Sequence, residues 1–305
     1  MKILIYALGG GWGHLTRAAA LARALHPTTT AHILTNSPFV QIVQSAMPDL
    51  TIEPVSTREQ AVSRIQRFVP DILIVDTFPR GLGGEFAQFP TPAKKILIHR
   101  DLAPEYVAWA SDLRQFVATH YDCILCPGEF GPFADLPQAR LTGSWLVRAP
   151  IEVSSPAPVV VCAGGNADEL PWYGEVCAIL SSSRVDLRCL APELPPGCPP
   201  HLWTRHWPAI DHIAAAKVVI GGAGYNTVSE CLATGTPLIA RPWPRKYDRQ
   251  RLRADRHPGI TVVDTPAVAA SAVHHLLAQP QAPTPAFRNG AANAARWILA
   301  SAQWV

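Results

Sequence analysis

Three residues with side chains suited to proton transfer or hydroxyl binding stand at the ends of apolar runs. His14 closes the string GGGWGH (9–14), directly after MKILIYAL (1–8), and Asp76 closes DILIVD (71–76). Glu230 follows the glycines of GGAGYNTVSE (221–230). An imidazole that accepts a proton, with a carboxylate to orient it, is equipment for general-base chemistry. A carboxylate one helical turn beyond Asn226 can accept both hydroxyls of a ribose while its neighbours hold phosphates. Asp248 and Gln250, two residues apart near a helix start, suit the hydroxyls of a sugar.

Three turns carry paired glycines: the first with Gly11 and Gly13, the second with Gly164, Gly165 and Asn166, the third with Gly222, Ala223, Gly224, Asn226 and Thr227. Glycine lets the backbone turn tightly and lets a ligand approach the amides. A helix behind such a turn aims its free N–H groups and positive dipole end at an anion such as phosphate. Packing alone explains glycine in any one such turn, whereas three of them point to phosphate. None is followed by GK[ST], so none is a P-loop. The first is not GxGxxG, and the third has Thr227 in the last position, so a dehydrogenase reading is poor.

These residues need elements to position them. Strand-length runs rich in Ile, Leu and Val (2–8, 31–36, 71–76, 94–100, 122–126) alternate with helical segments at 14–25, 37–46, 57–68 and 104–117. Near-continuous apolar strands fit a parallel sheet covered on both faces. Periodicity fades between Pro127 and Pro158, where six prolines gather, and the alternation then restarts. The expected strands are 159–165, 185–191, 201–207, 217–224, 237–242 and 260–264. The expected helices are 172–182, 211–216, 226–235, 266–278 and 286–302. The pattern predicts an α/β chain of two tandem Rossmann-like, doubly wound domains, at 1–145 and 146–305, facing across a cleft.

The 305 residues are 48% hydrophobic and 16% charged, enough for two cores. A net charge of +3 does not argue for nucleic acid. No secretory leader and no membrane-spanning run is read, so a cytoplasmic protein is expected. The seven cysteines are scattered. CILC (123–126) lies on a predicted strand, where alternation turns its two thiols to opposite faces. Reduced core thiols, no bound metal and no cofactor are the expectation.

The stretch GGAGYNTVSECLATGTPLIARPWPRKYDRQRLRAD (221–255) resembles the donor-binding segment of nucleotide-sugar glycosyltransferases of the GT-B fold. It is most similar to the MurG-like peptidoglycan N-acetylglucosaminyltransferases of glycosyltransferase families 28 and 1. The matching elements are the glycine turn, NTVSE, GTPLI, a proline and DRQ. The resemblance implies that Gly222, Ala223, Gly224, Asn226 and Thr227 line a diphosphate, that Glu230 binds ribose, and that Asp248 and Gln250 face the hexose. It places His206 and Trp207 at the nucleobase, with Trp207 as plain core the alternative. The pattern departs at Arg251, where a second glutamine is usual, and at Arg253, where asparagine is usual, which bears on the identity of the sugar.

By the same resemblance His14 faces the donor from the first domain, as the base for an inverting transfer. The alternative is a helix-start histidine that supports its turn. Asp76 either orients His14, binds the acceptor or caps its loop, and Asp101, in HRDLAPE (99–105), is a further acceptor-side candidate. The basic stretch 241–256, with seven basic residues against two acidic, is either a rim that attracts the diphosphate or a contact with the inner face of a membrane. The function implied is transfer from a nucleotide-sugar, a UDP-sugar, to a small or lipid-linked acceptor, without metal. No DxD sequence supplies a divalent-ion site. GHLTR (13–17) also resembles the start of nucleotide-sugar hydrolases, so a hydrolase of the same fold is the rival, and a non-catalytic nucleotide-sugar binder is the third possibility.

Overall fold

The apolar runs fold as parallel strands, and they do so in two separate sheets. The computed structural model describes residues 1–87, 89, 91–100, 102–103, 105–106, 112–128, 131–280 and 285–301. The chain divides into two units, Met1–Arg148 with Asn289–Val305, and Ala149–Arg288.

In the first unit the strands are β1 (Ile3–Tyr6), β2 (Ala31–Thr35), β3 (Thr51–Pro54), β4 (Ile72–Asp76), β5 (Lys94–Ile98), β6 (Cys123–Cys126) and β7 (Ala139–Leu141). Their order in the sheet is β3-β2-β1-β4-β5-β6-β7. The helices are α1 (Trp12–Leu25), α2 (Val40–Ala46), α3 (Arg58–Phe68) and α4 (Leu113–His120). Strands β1 and β4 are buried along their whole length, which is why they read as unbroken Ile, Leu and Val.

In the second unit the strands are β8 (Val159–Cys162), β9 (Leu187–Leu190), β10 (Trp203–Thr204), β11 (Val218–Gly222), β12 (Leu238–Arg241) and β13 (Ile260–Val262), in the order β10-β9-β8-β11-β12-β13. The helices are α5 (Leu170–Ser182), α6 (Ile210–Ala215), α7 (Tyr225–Thr234), α8 (Gln250–Asp255) and α9 (Pro266–Leu277). Both sheets reverse strand order beside their first strand, between β1 and β4 and between β8 and β11. Ligands of open α/β sheets bind at such points.

The structure differs from the sequence expectation in five places, the first being β3, which has Ile52 as its one buried residue and so no apolar run to announce it. Helix α1 begins at Trp12, two residues before His14, because the Trp12 ring stacks on Phe39 at 4.0 Å and fixes the first turn. Strand β7 lies inside the proline-rich stretch read as a junction, and it pairs with β6 through three residues. The expected strand 201–207 is a 3-10 turn (Pro200–Leu202) followed by the two residues of β10. Last, the helix expected to close the second domain, α10 (Gly290–Ser301), belongs to the first unit.

That return has a local cause. Helix α1 is rich in alanine and is buried from His14 to Ala22, with small side chains on both faces. One face lies on the sheet. Helix α10 covers the other with its own small buried residues Ala291, Ala294 and Ala295. Asn289 both accepts from the Leu146 N–H at 3.1 Å and donates to its carbonyl at 2.6 Å. A Cβ on Gly290 would come within 2.3 Å of the Gly143 carbonyl oxygen, so only glycine lets the helix start there.

Candidate functional site

The residues flagged by type cluster at the two points where strand order reverses. In the first unit, register places Val75 of β4 beside Tyr6 of β1, so Asp76 and the turn after β1 emerge side by side. His14 Nδ1 lies 2.6 Å from Asp76 Oδ2. Arg17, one helical turn along α1, donates from Nη2 to the same oxygen at 2.8 Å and from Nε to Oδ1 at 3.1 Å. Arg17 Nη2 also donates to Thr77 Oγ1 at 3.1 Å, and that hydroxyl donates to Asp76 Oδ1 at 3.2 Å. All four residues are buried.

Charge follows from this geometry. Burial alone would raise the Asp76 carboxyl, but Arg17 and then His14 outweigh it and hold the carboxyl well below the usual range. Burial lowers His14 below its ordinary value, and Asp76 only partly offsets this. With Asp76 ionised, Nδ1 carries the proton that is donated to it, and Nε2 is left as a proton acceptor. The orienting role for Asp76 is therefore the one its contacts support. Thr77 has φ 72, an outlier for a β-branched residue, costing about 1–3 kcal/mol.

The glycine turn after β1 seats the imidazole and has its own amides occupied. A Cβ on Gly9 would lie 2.2 Å from His14 Cδ2 and Nε2. The Gly9 and Gly10 N–H groups both donate to Asn36 Oδ1 at 2.9 Å, so these two are not offered to an anion. Gly11 caps α1 without a side-chain bond, and Gly13 lies in the helix's first turn. Leu8 and Asn36, with Thr57, Arg58 and Leu82, line a cavity of about 470 Å³ in this unit. Asp101 lies outside the described residues. His99, in the same string, is buried and pulled down to about 3 by burial and then by Arg100, and its Nε2 accepts from the Phe133 N–H at 3.2 Å.

In the second unit, strand β11 ends in the glycine turn and Gly224 caps α7. Glu230 is only 7% exposed, and no described group donates to its carboxylate. Burial pushes it up to about 8, with the Asp211 carboxylate adding to the shift. Asn226 Oδ1, one turn earlier, is buried and has no partner either. Asp211 itself accepts from the Ile151 N–H at 3.0 Å and lies 3.4 Å from His206 Nε2. His206 is exposed and Trp207 half-buried.

Arg253, like Arg17 in the first unit, has a role that its sequence position did not reveal. It is 2% exposed, and it donates to the Ala223 carbonyl at 2.9 Å and to Asp248 Oδ1 at 2.8 Å. It thus ties the glycine turn to the loop that carries Asp248. Gln250 Oε1 accepts from the Trp243 N–H at 3.0 Å, while its Nε2 reaches toward Gly224. Trp243 donates in turn to Tyr173 Oη at 2.9 Å. Other basic residues of this stretch are also engaged: Arg241 stacks over Trp243, Arg245 pairs with Glu169, and Arg251 with Asp255. Gly164 and Asn166 are exposed at the end of β8, and Gly165 leaves room for the Glu169 carboxylate.

Comparison with known proteins places this geometry. Residues 208–255 match the Glycosyltransferase family 28 C-terminal domain, the span that holds the glycine turn, Glu230, Asp248, Gln250 and Arg253. No curated protein matches the chain by sequence. Among solved structures, S. aureus MnaA with UDP is similar at 13% identity and a TM-score of 0.66, over 100% of this chain and 98% of that one. Glycosyltransferase VinC with dTDP is similar at 15% and 0.59, over 100% and 96%. Glycosyltransferase SnogD from Streptomyces nogalater is similar at 13% and 0.61, over 98% and 100%. No helix among the described residues is long and apolar enough to cross a membrane. The parallel sheets of seven and six strands among the described residues, together with these whole-length likenesses, give the chain the GT-B fold of glycosyltransferases.

Proposed function

We propose that this chain is a glycosyltransferase that moves a sugar from a nucleotide-sugar, a UDP-sugar, to a hydroxyl acceptor with inversion, as a cytoplasmic protein. The observation that carries the reading is Glu230, a buried carboxyl with no hydrogen-bond partner among the described residues, inside the span that matches family 28. Leaving such a group unpaired costs stability unless a ligand supplies donors. Ribose hydroxyls do so, and the amides of the first turn of α7 receive the diphosphate.

In this reading the second unit holds the donor and the first supplies the base. His14 Nε2 takes the acceptor's proton, and Asp76 stabilises the imidazolium that forms. The acceptor oxygen attacks the anomeric carbon as the bond to the diphosphate breaks on the opposite face. The α7 dipole and nearby basic side chains take the leaving group's charge, in place of a divalent ion. Asp248 and Gln250 orient the hexose, and His206 and Trp207 the base. The cavity beside Asn36 receives the acceptor.

The test is incubation with a panel of UDP-sugars, with and without candidate acceptors. UDP release that depends on an acceptor supports transfer. Release that ignores acceptors assigns the hydrolase, and nucleotide binding without release assigns the binder.

A further inference from the structure

We propose that Cys177, Cys189 and Cys198 form a binding site for a thiophilic d10 cation, with zinc as the ion to test. They come from three different pieces of the second unit: α5, β9 and the loop after β9. Their sulfurs nevertheless all lie within 4.8 Å of one another, and all three residues are buried. One buried thiol behaves as a small apolar side chain. Three thiols aimed at a common point from separate elements present a ligand set instead.

The spacing is close to what a metal requires. Zinc–sulfur bonds of about 2.3 Å in a tetrahedron put the sulfurs about 3.8 Å apart. The widest pair therefore closes by at most about 1 Å. The loop holds its ligand in place before any ion arrives. Gly197 takes a left-handed backbone, φ +86, and the Cys198 N–H donates to the Pro195 carbonyl at 3.0 Å. Gly174 on α5 has no Cβ, and the Pro196 carbonyl oxygen occupies the space, 1.8 Å from where one would be. Cys198 is thereby pressed against the helix that carries Cys177.

His201 stands three residues beyond Cys198, on the 3-10 turn Pro200–Leu202. A water molecule supplies the fourth ligand. Binding exchanges protons for metal: one divalent ion joins three thiols, three protons leave for solvent, and no electron moves. The ion fastens the β9–β10 crossover to α5, a structural role that is independent of sugar transfer.

The experiment uses the full chain, reduced and stripped of metal by a chelator, titrated with cobalt(II) under argon. One equivalent should produce a thiolate-to-cobalt charge-transfer band and tetrahedral d–d bands, and zinc should abolish both. Zinc should also raise the melting temperature. Cys198→Ser and Cys177→Ala should lose the band, while Cys123→Ser should keep it. A wild-type titration without charge-transfer absorption overturns the site even if the cysteine variants fail to fold. A band that survives in Cys198→Ser overturns it too, as does an intact mass showing two of the three joined as a disulfide in protein purified in the presence of reductant.

Discussion

His14 and Asp76 are 62 residues apart in sequence and 2.6 Å apart in space, because β1 and β4 are neighbours in the sheet. Asp76→Asn keeps the shape and removes the charge. Turnover should fall about 10²–10⁴-fold, the range for loss of an effective general base. The variant should also lose about 3–5 kcal/mol of stability, since the Arg17 guanidinium is left buried without its counter-ion. Steady-state kinetics below the melting temperature, with a denaturant titration, measure the two effects separately. Full activity in a folded Asp76→Asn protein would remove the dyad from the mechanism.

The pH dependence has a definite sign. His14 is lowered from 6.5, so Nε2 stays free of a proton below the ordinary histidine value. The acid limb of kcat should therefore fall below pH 6.5. Asp76→Asn removes what favours the imidazolium, so any residual activity should show a limb at lower pH still.

Stability should respond to the same groups. His14, His99 and His212 all have lowered values in the folded chain, about 3 for His99 and about 4 for His212. The unfolded chain binds protons at these sites first as pH falls through about 6.5. Their contribution is thus present above that pH and lost as pH drops toward the folded values. The melting temperature should decline from pH 7 to pH 5, and His99→Asn should flatten the slope. A profile independent of pH over that interval would contradict the burial seen here.

Glu230→Ala should weaken UDP binding by about 1.5–3 kcal/mol, the scale of hydrogen bonds to a charged group. Burial holds the free carboxyl near 8, and ribose hydroxyls favour the ionised form. UDP affinity in the wild type should therefore rise as pH passes from 7 to 9, and in Glu230→Gln it should not. Calorimetry in buffers of different ionisation enthalpy would register the proton released.

Gly9→Ala isolates the seat of the imidazole. The backbone there is not left-handed, so alanine is tolerated except for its methyl, which would fall 2.2 Å from the His14 ring. Turnover should drop with the ring displaced and UDP affinity unchanged. Gly290→Ala meets backbone oxygens on the far side of the same unit, and should lower stability by about 1–3 kcal/mol.

Much of this was legible in the residues. The alternation of apolar runs and helical segments implies parallel sheets, whereas the order of the strands within each sheet is not encoded in that pattern. The Asp76 orienting role was one of three readings open for that residue, and only the pairing of β1 with β4 favours it. Arg17 was hidden because a charged side chain on an alanine-rich helix reads as solvent-facing, until Asp76 is known to lie beneath it. Arg253 stood out as a departure from the family pattern, but its link to Ala223 depends on a fold of the loop that periodicity does not encode. The return of α10 gave no signal, since an amphipathic segment does not say which sheet it will cover.

That return orders events on the ribosome. The alanine face of α1 is synthesised before its cover, with the whole of the second unit in between. The second unit is continuous in sequence and can close as soon as Arg288 has emerged. The first must wait, with the six strands flanking β1 already paired, for α10 to seal it. During that interval its bare helix is the part of the nascent chain most open to a chaperone or to a neighbouring chain.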